Sequence, residues 1–128
     1  MPECKVDGKD VIYQKLTVPN NIQYIAHSTI ETDEYVIGYN VALLSNSPKE
    51  WQNQVLLHEC GHFKTLINKS YNYNGKTKEY AADCYSAKVL KNRYNYGPKE
   101  FNIIIGTMLT INLPFDRAFN FERCALIN

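Results

Sequence analysis

Ser47-Pro48-Lys49-Glu50-Trp51-Gln52-Asn53-Gln54-Val55-Leu56-Leu57-His58-Glu59-Cys60-Gly61-His62-Phe63 is the stretch that organises the reading of this chain. It opens as a capping box: Ser47 stands at the N-cap, and Glu50 follows three residues later to reach back to it. Pro48 takes the first helical position, where its missing N–H costs nothing. A helix is expected from Pro48 to about Ile67, with Trp51, Val55, Leu56, Phe63 and Leu66 as its apolar side. On it, His58 and His62 are four residues apart, so both lie on one face and can reach one divalent ion. Glu59 is rotated about 100° from His58. It stands beside such an ion, where a carboxylate can take a proton from activated water. Chance predicts roughly 0.004 such HExxH matches in a chain of this composition. Two of the three histidines are spent here.

Upstream of Ser45 the chain is rich in β-branched and aromatic residues. Three short strands are expected, over Val11–Val18, Ile22–His27 and Tyr35–Asn40. Gly38 within the third marks a bulge or a close approach by another backbone. Downstream the pattern is helical. Asn68–Lys76 reads as a polar loop, and a second helix runs from Thr77 to about Tyr94, where Gly97-Pro98 stops it. Pro98 opens a third helix to about Thr110, and a fourth follows Pro114.

A catalytic metal needs a third protein ligand and one open position. His27 falls in an expected strand upstream, a poor place to complete the set. The second helix offers Glu79-Tyr80-Ala81-Ala82-Asp83, with two carboxylates at i and i+4. Glu79 can ligate, and Asp83 can accept the free ring N–H of His58, fixing its tautomer. The small Ala81 and Ala82 favour close approach of the two helices. Alone, such a pair arises by chance roughly 0.07 times in a thirty-residue window. Joined to HExxH it carries weight.

HExxH on one helix followed by ExxxD on the next resembles the gluzincin metallopeptidases. The neighbourhood His-Glu-Cys-Gly-His and then Glu-Tyr-Ala-Ala-Asp-Cys is similar to small bacterial metallopeptidase-like proteins related to the CAAX prenyl-protease type. The resemblance spans roughly residues 35–95. It implies one Zn²⁺ per chain held by His58, His62 and Glu79, with Glu59 as general base and Asp83 behind a histidine ligand. It also implies an edge strand just before the active-site helix, the place occupied by Tyr35–Asn40. A peptide or protein substrate would pair with that strand, unless the strand is already paired on both sides. The expected fold is α+β: a minimal zincin-like domain over residues 1–128, its small N-terminal sheet packed on the HExxH helix and its C-terminal half helical.

Such a reading implies a zinc-dependent metallopeptidase, in which a zinc-activated water attacks the peptide bond and Glu59 takes its proton. A group for the oxyanion is also required. Tyr71 and Tyr73 between the helices and Arg117 and Arg123 in the last helix are the candidates, with surface packing and salt bridging as their ordinary alternatives. The rival functions are a non-catalytic zinc-containing peptide-binding module, or a metal-dependent amidase acting on a non-peptide substrate. An intact Glu59 speaks against the first.

The rest of the sequence narrows the setting. With 128 residues the chain has room for one modest core. Fourteen basic residues against 13 acidic ones leave a net charge of +1, with no basic stripe for nucleic acid. No apolar run approaches the ~18 residues of a membrane span.

The four cysteines, Cys4, Cys60, Cys84 and Cys124, suit two disulfides in an oxidising compartment. Met1-Pro2-Glu3-Cys4 has no signal-peptide pattern. The expected location is therefore secreted or periplasmic with the signal already removed, and cytoplasmic otherwise. Helical geometry turns Cys60 about 180° from the mean direction of His58 and His62, so it is not a ligand. If the second helix lies beside the first, Cys60 meets Cys84 and Cys4 is left for Cys124. The alternative is four free thiols, with Cys60 and Cys84 buried in the helix interface.

Overall fold

The computed structural model describes residues 1–16, 25–67 and 75–126. Five strands and five helices are found among them. In chain order these are β1 (Lys5–Val6), β2 (Lys9–Asp10), β3 (Ile12–Leu16), β4 (Ala26–Glu31), β5 (Glu34–Asn40), α1 (Val41–Ser45), α2 (Lys49–Ile67), α3 (Gly75–Asn92), α4 (Pro98–Thr110) and α5 (Phe115–Leu126). The fold is α+β, as the sequence leads one to expect.

Two tight turns set the strand pairing. Asp7 and Gly8 both take positive φ, 53° and 77°. An Asp-Gly pair in that conformation closes the β1–β2 hairpin, whose right-handed twist needs it. Thr32 and Asp33 do the same at φ 48° and 63°, placing Glu31 opposite Glu34. That turn carries the second expected strand on to Glu31: β4 is Ala26–Glu31, four residues past the end of the expected Ile22–His27, and residues 22–24 of that expectation, like 17–18 of the first strand, lie outside the described residues. The sequence reading passed over the β1–β2 hairpin, although its Asp7-Gly8 pair is a hairpin signal, and it did not anticipate α1.

The larger sheet has the order β3-β5-β4. β3 runs parallel to β5 and β4 antiparallel to it. Tyr35–Asn40 is therefore the central strand, paired on both sides, and not an edge. The edge beside the helices is β4. Gly38 does mark a close approach, but of a side chain: a Cβ there would come within 2.9 Å of His27 Cε1.

α2 lies across the sheet and is buried on nearly every side, including Trp51, Val55, Leu56, Leu57, Cys60 and Phe63. A helix wrapped all round by neighbours shows little amphipathic contrast. Ile37 and Tyr39 of β5 join its core, and Tyr35 meets Phe63 edge to face at 5.1 Å. The α2 helix begins within a residue of the expected start. Ser47 turns its hydroxyl to the Leu43 carbonyl, 2.9 Å away.

α3 begins and ends about two residues earlier than the spacing suggests, while α4 spans the expected Pro98–Thr110. The Gly97 N–H donates to Glu100 Oε1 at 2.7 Å, which satisfies one open donor of the first turn. α5 buries Ala118, Phe121 and Ala125. No helix among the described residues is long and apolar enough to cross a membrane.

Two disulfides are present, Cys4–Cys60 and Cys84–Cys124, with Cα separations of 6.0 and 5.2 Å. This corrects the expected pairing of Cys60 with Cys84 and Cys4 with Cys124. α2 and α3 do pack together, and Cys60 Sγ lies 3.7 Å from Tyr85 Oη of α3, but its disulfide partner is Cys4, beside the N-terminal hairpin. Cys84, one residue past Asp83, faces α5. Side-chain direction on each helix decides the partner. Two disulfides suit an oxidising environment.

Candidate metal centre

Local geometry on α2 does what the spacing requires. Gln54, His58 and His62 form one stripe at four-residue intervals. Cys60 points elsewhere, into its disulfide. The neighbouring α3 comes very close at Gly61. A Cβ on Gly61 would meet both the Ala82 Cα and the Ala82 carbonyl oxygen at 2.9 Å, so the glycine and the small alanine together let the two backbones touch. That contact brings Glu79 and Asp83 to the histidines.

Glu79 reaches both of them. Its Oε2 lies 2.9 Å from His58 Nε2 and its Oε1 lies 3.1 Å from His62 Nε2. His58, Glu59 and His62 each offer a ligand atom, all within 4.8 Å of one another. The edges of a tetrahedron with bonds of about 2.0–2.1 Å are about 3.3 Å long. The His–Glu79 spacings sit just inside that, at hydrogen-bonding distance. The group thus has the reach and the donor chemistry to hold a metal ion.

Behind His58 the support is dense. Its Nδ1 is 2.6 Å from Asp83 Oδ1. Asp83 is fully buried. It also accepts from Arg117 Nε at 2.6 Å, Arg117 Nη2 at 3.2 Å and Gln54 Nε2 at 3.2 Å. Gln54 reaches on to Ser86 Oγ. A buried carboxylate is tolerable only when satisfied in this way. Three helices converge on it: α2 through His58 and Gln54, α3 through Asp83 itself, and α5 through Arg117.

Charge follows geometry. Burial works against a charge on His58, but the Asp83 and Glu79 hydrogen bonds outweigh it and push the pKa up to about 9. Hydrogen bonds from His58 and His62 hold the Glu79 carboxyl well below the usual carboxylate range. Burial pushes Asp83 up, and its His58 and Arg117 partners more than offset this, so it sits below its ordinary value. A carboxylate on each ring nitrogen favours the protonated form of His58. The site is arranged for positive charge, and a divalent cation can take the place of the Nε2 proton.

Glu59 stands apart. Its Oε2 is 3.8 Å from His58 Nε2, and its Oε1 accepts from Ser28 Oγ of β4 at 2.9 Å. Burial, only partly offset by the histidines, raises its pKa. Two cavities meet at Glu59 and His62. One of about 540 Å³ has Ile25, Trp51, Val55, Ile111 and Leu113 in its walls, with Arg117 and Glu79 beside them. The other, of about 480 Å³, is lined by Ser28, Thr29, Ile30 and Phe63.

Of the oxyanion candidates, Arg117 is at the site, but its guanidinium is engaged by Asp83 in two hydrogen bonds. Its first role there is as a salt-bridge partner. Arg123 is exposed and lines neither cavity. Tyr71 and Tyr73 lie outside the described residues. His27 borders the larger cavity, yet its ring lies over Gly38, away from the ligand group.

Sequence reasoning missed Ser28 and Gln54. Gln54 had a signal, because it continues the His58–His62 stripe by one turn. Ser28 had a weaker one, as a small polar residue just past the end of the expected strand Ile22–His27. Protein-family models, curated proteins and solved structures yield no match to this chain.

Proposed function

We propose that the chain is a zinc-dependent metallopeptidase of the gluzincin kind. The observation that carries this reading is the convergence of His58 Nε2 and His62 Nε2 on one carboxylate, Glu79, with a second carboxylate, Glu59, beside them at 3.8 Å from His58 Nε2, beyond hydrogen-bonding distance. A purely structural centre has no need of Glu59. A structural zinc is also closed off, whereas here the Glu79 side chain is 42% exposed and the group opens on two cavities. The donor set of two imidazoles and a carboxylate suits zinc.

When bound, zinc supplies a Lewis acid that acidifies water and polarises a carbonyl. His58, His62 and Glu79 hold the ion. Asp83 holds His58 in the tautomer that presents Nε2, and Arg117 and Gln54 hold Asp83. Glu59 takes the proton of the attacking water and returns it to the leaving amine. Its raised pKa suits a group that must carry a proton for part of the cycle.

The substrate reading shifts to β4. The Asn40 N–H donates to the Ile25 carbonyl at 2.9 Å, which makes Ala26 and Tyr39 a non-hydrogen-bonded pair. Pairs alternate along an antiparallel ladder. The N–H and C=O groups of Ala26, Ser28 and Ile30 therefore point away from β5, toward an edge that no other described strand pairs. An extended peptide can pair there by β-augmentation, with one cavity on either side of Glu59 for its side chains. Two disulfides favour an oxidising compartment as its place of work.

The test is metal analysis with a peptide assay. Protein purified without chelator should carry about one zinc per chain. Glu59→Gln should keep the metal and lose hydrolysis of casein and of a diverse peptide library by roughly 10²–10⁴-fold. Wild-type protein that holds no zinc and takes none up at pH 7 would overturn the reading. So would a Glu59→Gln variant as active as wild type.

A further inference from the structure

We propose that Ser28 is a positioning residue for Glu59, fixing which carboxylate oxygen faces the reacting centre while its own backbone faces the substrate edge of β4. The inference rests on the metallopeptidase reading and deepens it.

Ser28 makes two contacts, both to one residue. Its Oγ lies 2.9 Å from Glu59 Oε1 and 2.8 Å from the Glu59 carbonyl oxygen. The two acceptors belong to the side chain and the main chain of the same helical residue, so a single hydroxyl spans them and restrains the torsions between them. Glu59 needs such a restraint. It has three side-chain torsions, the last of them broad, and it sits on a buried face of α2. With Oε1 anchored on the strand, Oε2 is the oxygen left toward the histidines, 3.8 Å from His58 Nε2.

The placement on β4 gives the contact its second meaning. Ser28 is opposite Ile37, whose side chain is in the core against α2, so the two share the helix-facing side of the sheet. Ser28 is also one of the residues whose N–H and C=O face the open edge. A peptide paired at that edge is registered on the residue that holds the base. The smaller cavity has both Ser28 and Glu59 in its wall. A structural hydroxyl satisfying a stray carbonyl would explain the 2.8 Å contact, but not the second contact to the carboxylate.

The decisive comparison is Ser28→Thr against Ser28→Val. The two replacements have nearly the same shape and suit a strand equally, and they differ in the hydroxyl alone. Ser28→Thr should recover most of the wild-type turnover. Ser28→Val should lower kcat by about 10–100-fold with KM little changed and one zinc still bound, as expected when an interaction needed in the transition state is lost. Ser28→Ala replaces Ser28→Val if the latter fails to fold.

Crystal structures of the metal-free Thr and Val variants supply a readout independent of activity. The Glu59 carboxylate should keep its place in the first and swing away in the second. Equal kcat for the two variants overturns the proposal, and so does a Glu59 carboxylate that stays put in Ser28→Val. If the wild type cleaves no peptide, the metallopeptidase reading falls, and the crystal structures still decide whether Ser28 holds Glu59.

Discussion

The two walls of the site are built to different rules. The helical wall is redundant. Asp83 accepts four hydrogen bonds from three side chains on two helices, and Glu79 bridges both histidines. The strand wall is sparse: on Glu59 it places one hydroxyl, from Ser28. Under the proposed function, the difference follows from what each wall holds. A metal ligand must not move, and many bonds to buried charges hold it. A general base must give up and regain a proton, and a single neutral partner leaves it free to do so. Strength in one wall and lightness in the other predict separable damage.

The largest effect should come from the disulfides, which divide along the same line. Cys4–Cys60 ties the N-terminal hairpin to α2, and Cys84–Cys124 ties α3 to α5. They close loops of 56 and 40 residues, and each should contribute about 4 kcal/mol in the chain-entropy model. Replacing either pair by serine should lower the melting temperature by a similar amount. Only loss of Cys84–Cys124 should also weaken metal binding strongly, because it frees the helix that carries Arg117. Thermal melts and a zinc titration on both double variants check this. Equal metal affinity in the two would show that α5 does not brace the centre.

Asp83→Ala breaks the dense wall at its hub. Metal affinity should fall about 10–100-fold, and the stranded Arg117 and Gln54 should cost folding stability besides. Competition for zinc against a chelator measures the first. An Asp83→Ala protein with wild-type affinity would mean that the helices position His58 without its carboxylate.

Gly61→Ala probes the contact that joins the wall together. Its methyl would press on the Ala82 backbone, so α3 must back away, at a cost of about 1–3 kcal/mol. Glu79 moves with α3. Zinc affinity should drop in this variant, while the Ser28–Glu59 contact on the far side of α2 survives in its crystal structure.

The last effect is on pH, in the metal-free protein. The His58 pKa stands at about 9, against about 6.5 in an unfolded chain. Its stabilisation is complete below about pH 6.5 and drains away as pH rises through 9. Glu79 is held low, so its contribution is present above about pH 4.5 and is lost on acidification. The melting temperature without metal should peak between those limits and fall toward pH 9. Saturating zinc should remove the alkaline fall, because metal competes better as the ligands lose their protons. A flat metal-free profile from pH 6.5 to 9 would contradict the double pairing of His58.

Much of the dense wall was legible in the sequence and almost none of the sparse one. His58, Glu59 and His62 stand on one helix, and Glu79 and Asp83 on the next, so a spacing of three or four residues stands in for distance. Even the contact between the helices left a trace, in Gly61 and Ala82. Ser28 left little. Its strand is placed by the Thr32-Asp33 turn, and a shift of register moves every side chain to the other face. Whether Tyr35–Asn40 was the edge that the resemblance implied or a strand paired on both sides stayed open for a related reason: strand composition does not say how many neighbours a strand has.

Local periodicity and composition therefore determined four of the five described helices, the grouping of the histidines and carboxylates and the α+β plan, because helical geometry turns sequence spacing directly into direction. Tertiary structure alone decided the rest. It paired Cys4 with Cys60 and Cys84 with Cys124, made β4 the open edge, engaged Arg117 on Asp83 and set Ser28 on Glu59. Each of these joins residues tens of positions apart, and such contacts depend on how whole elements pack, which no local spacing records.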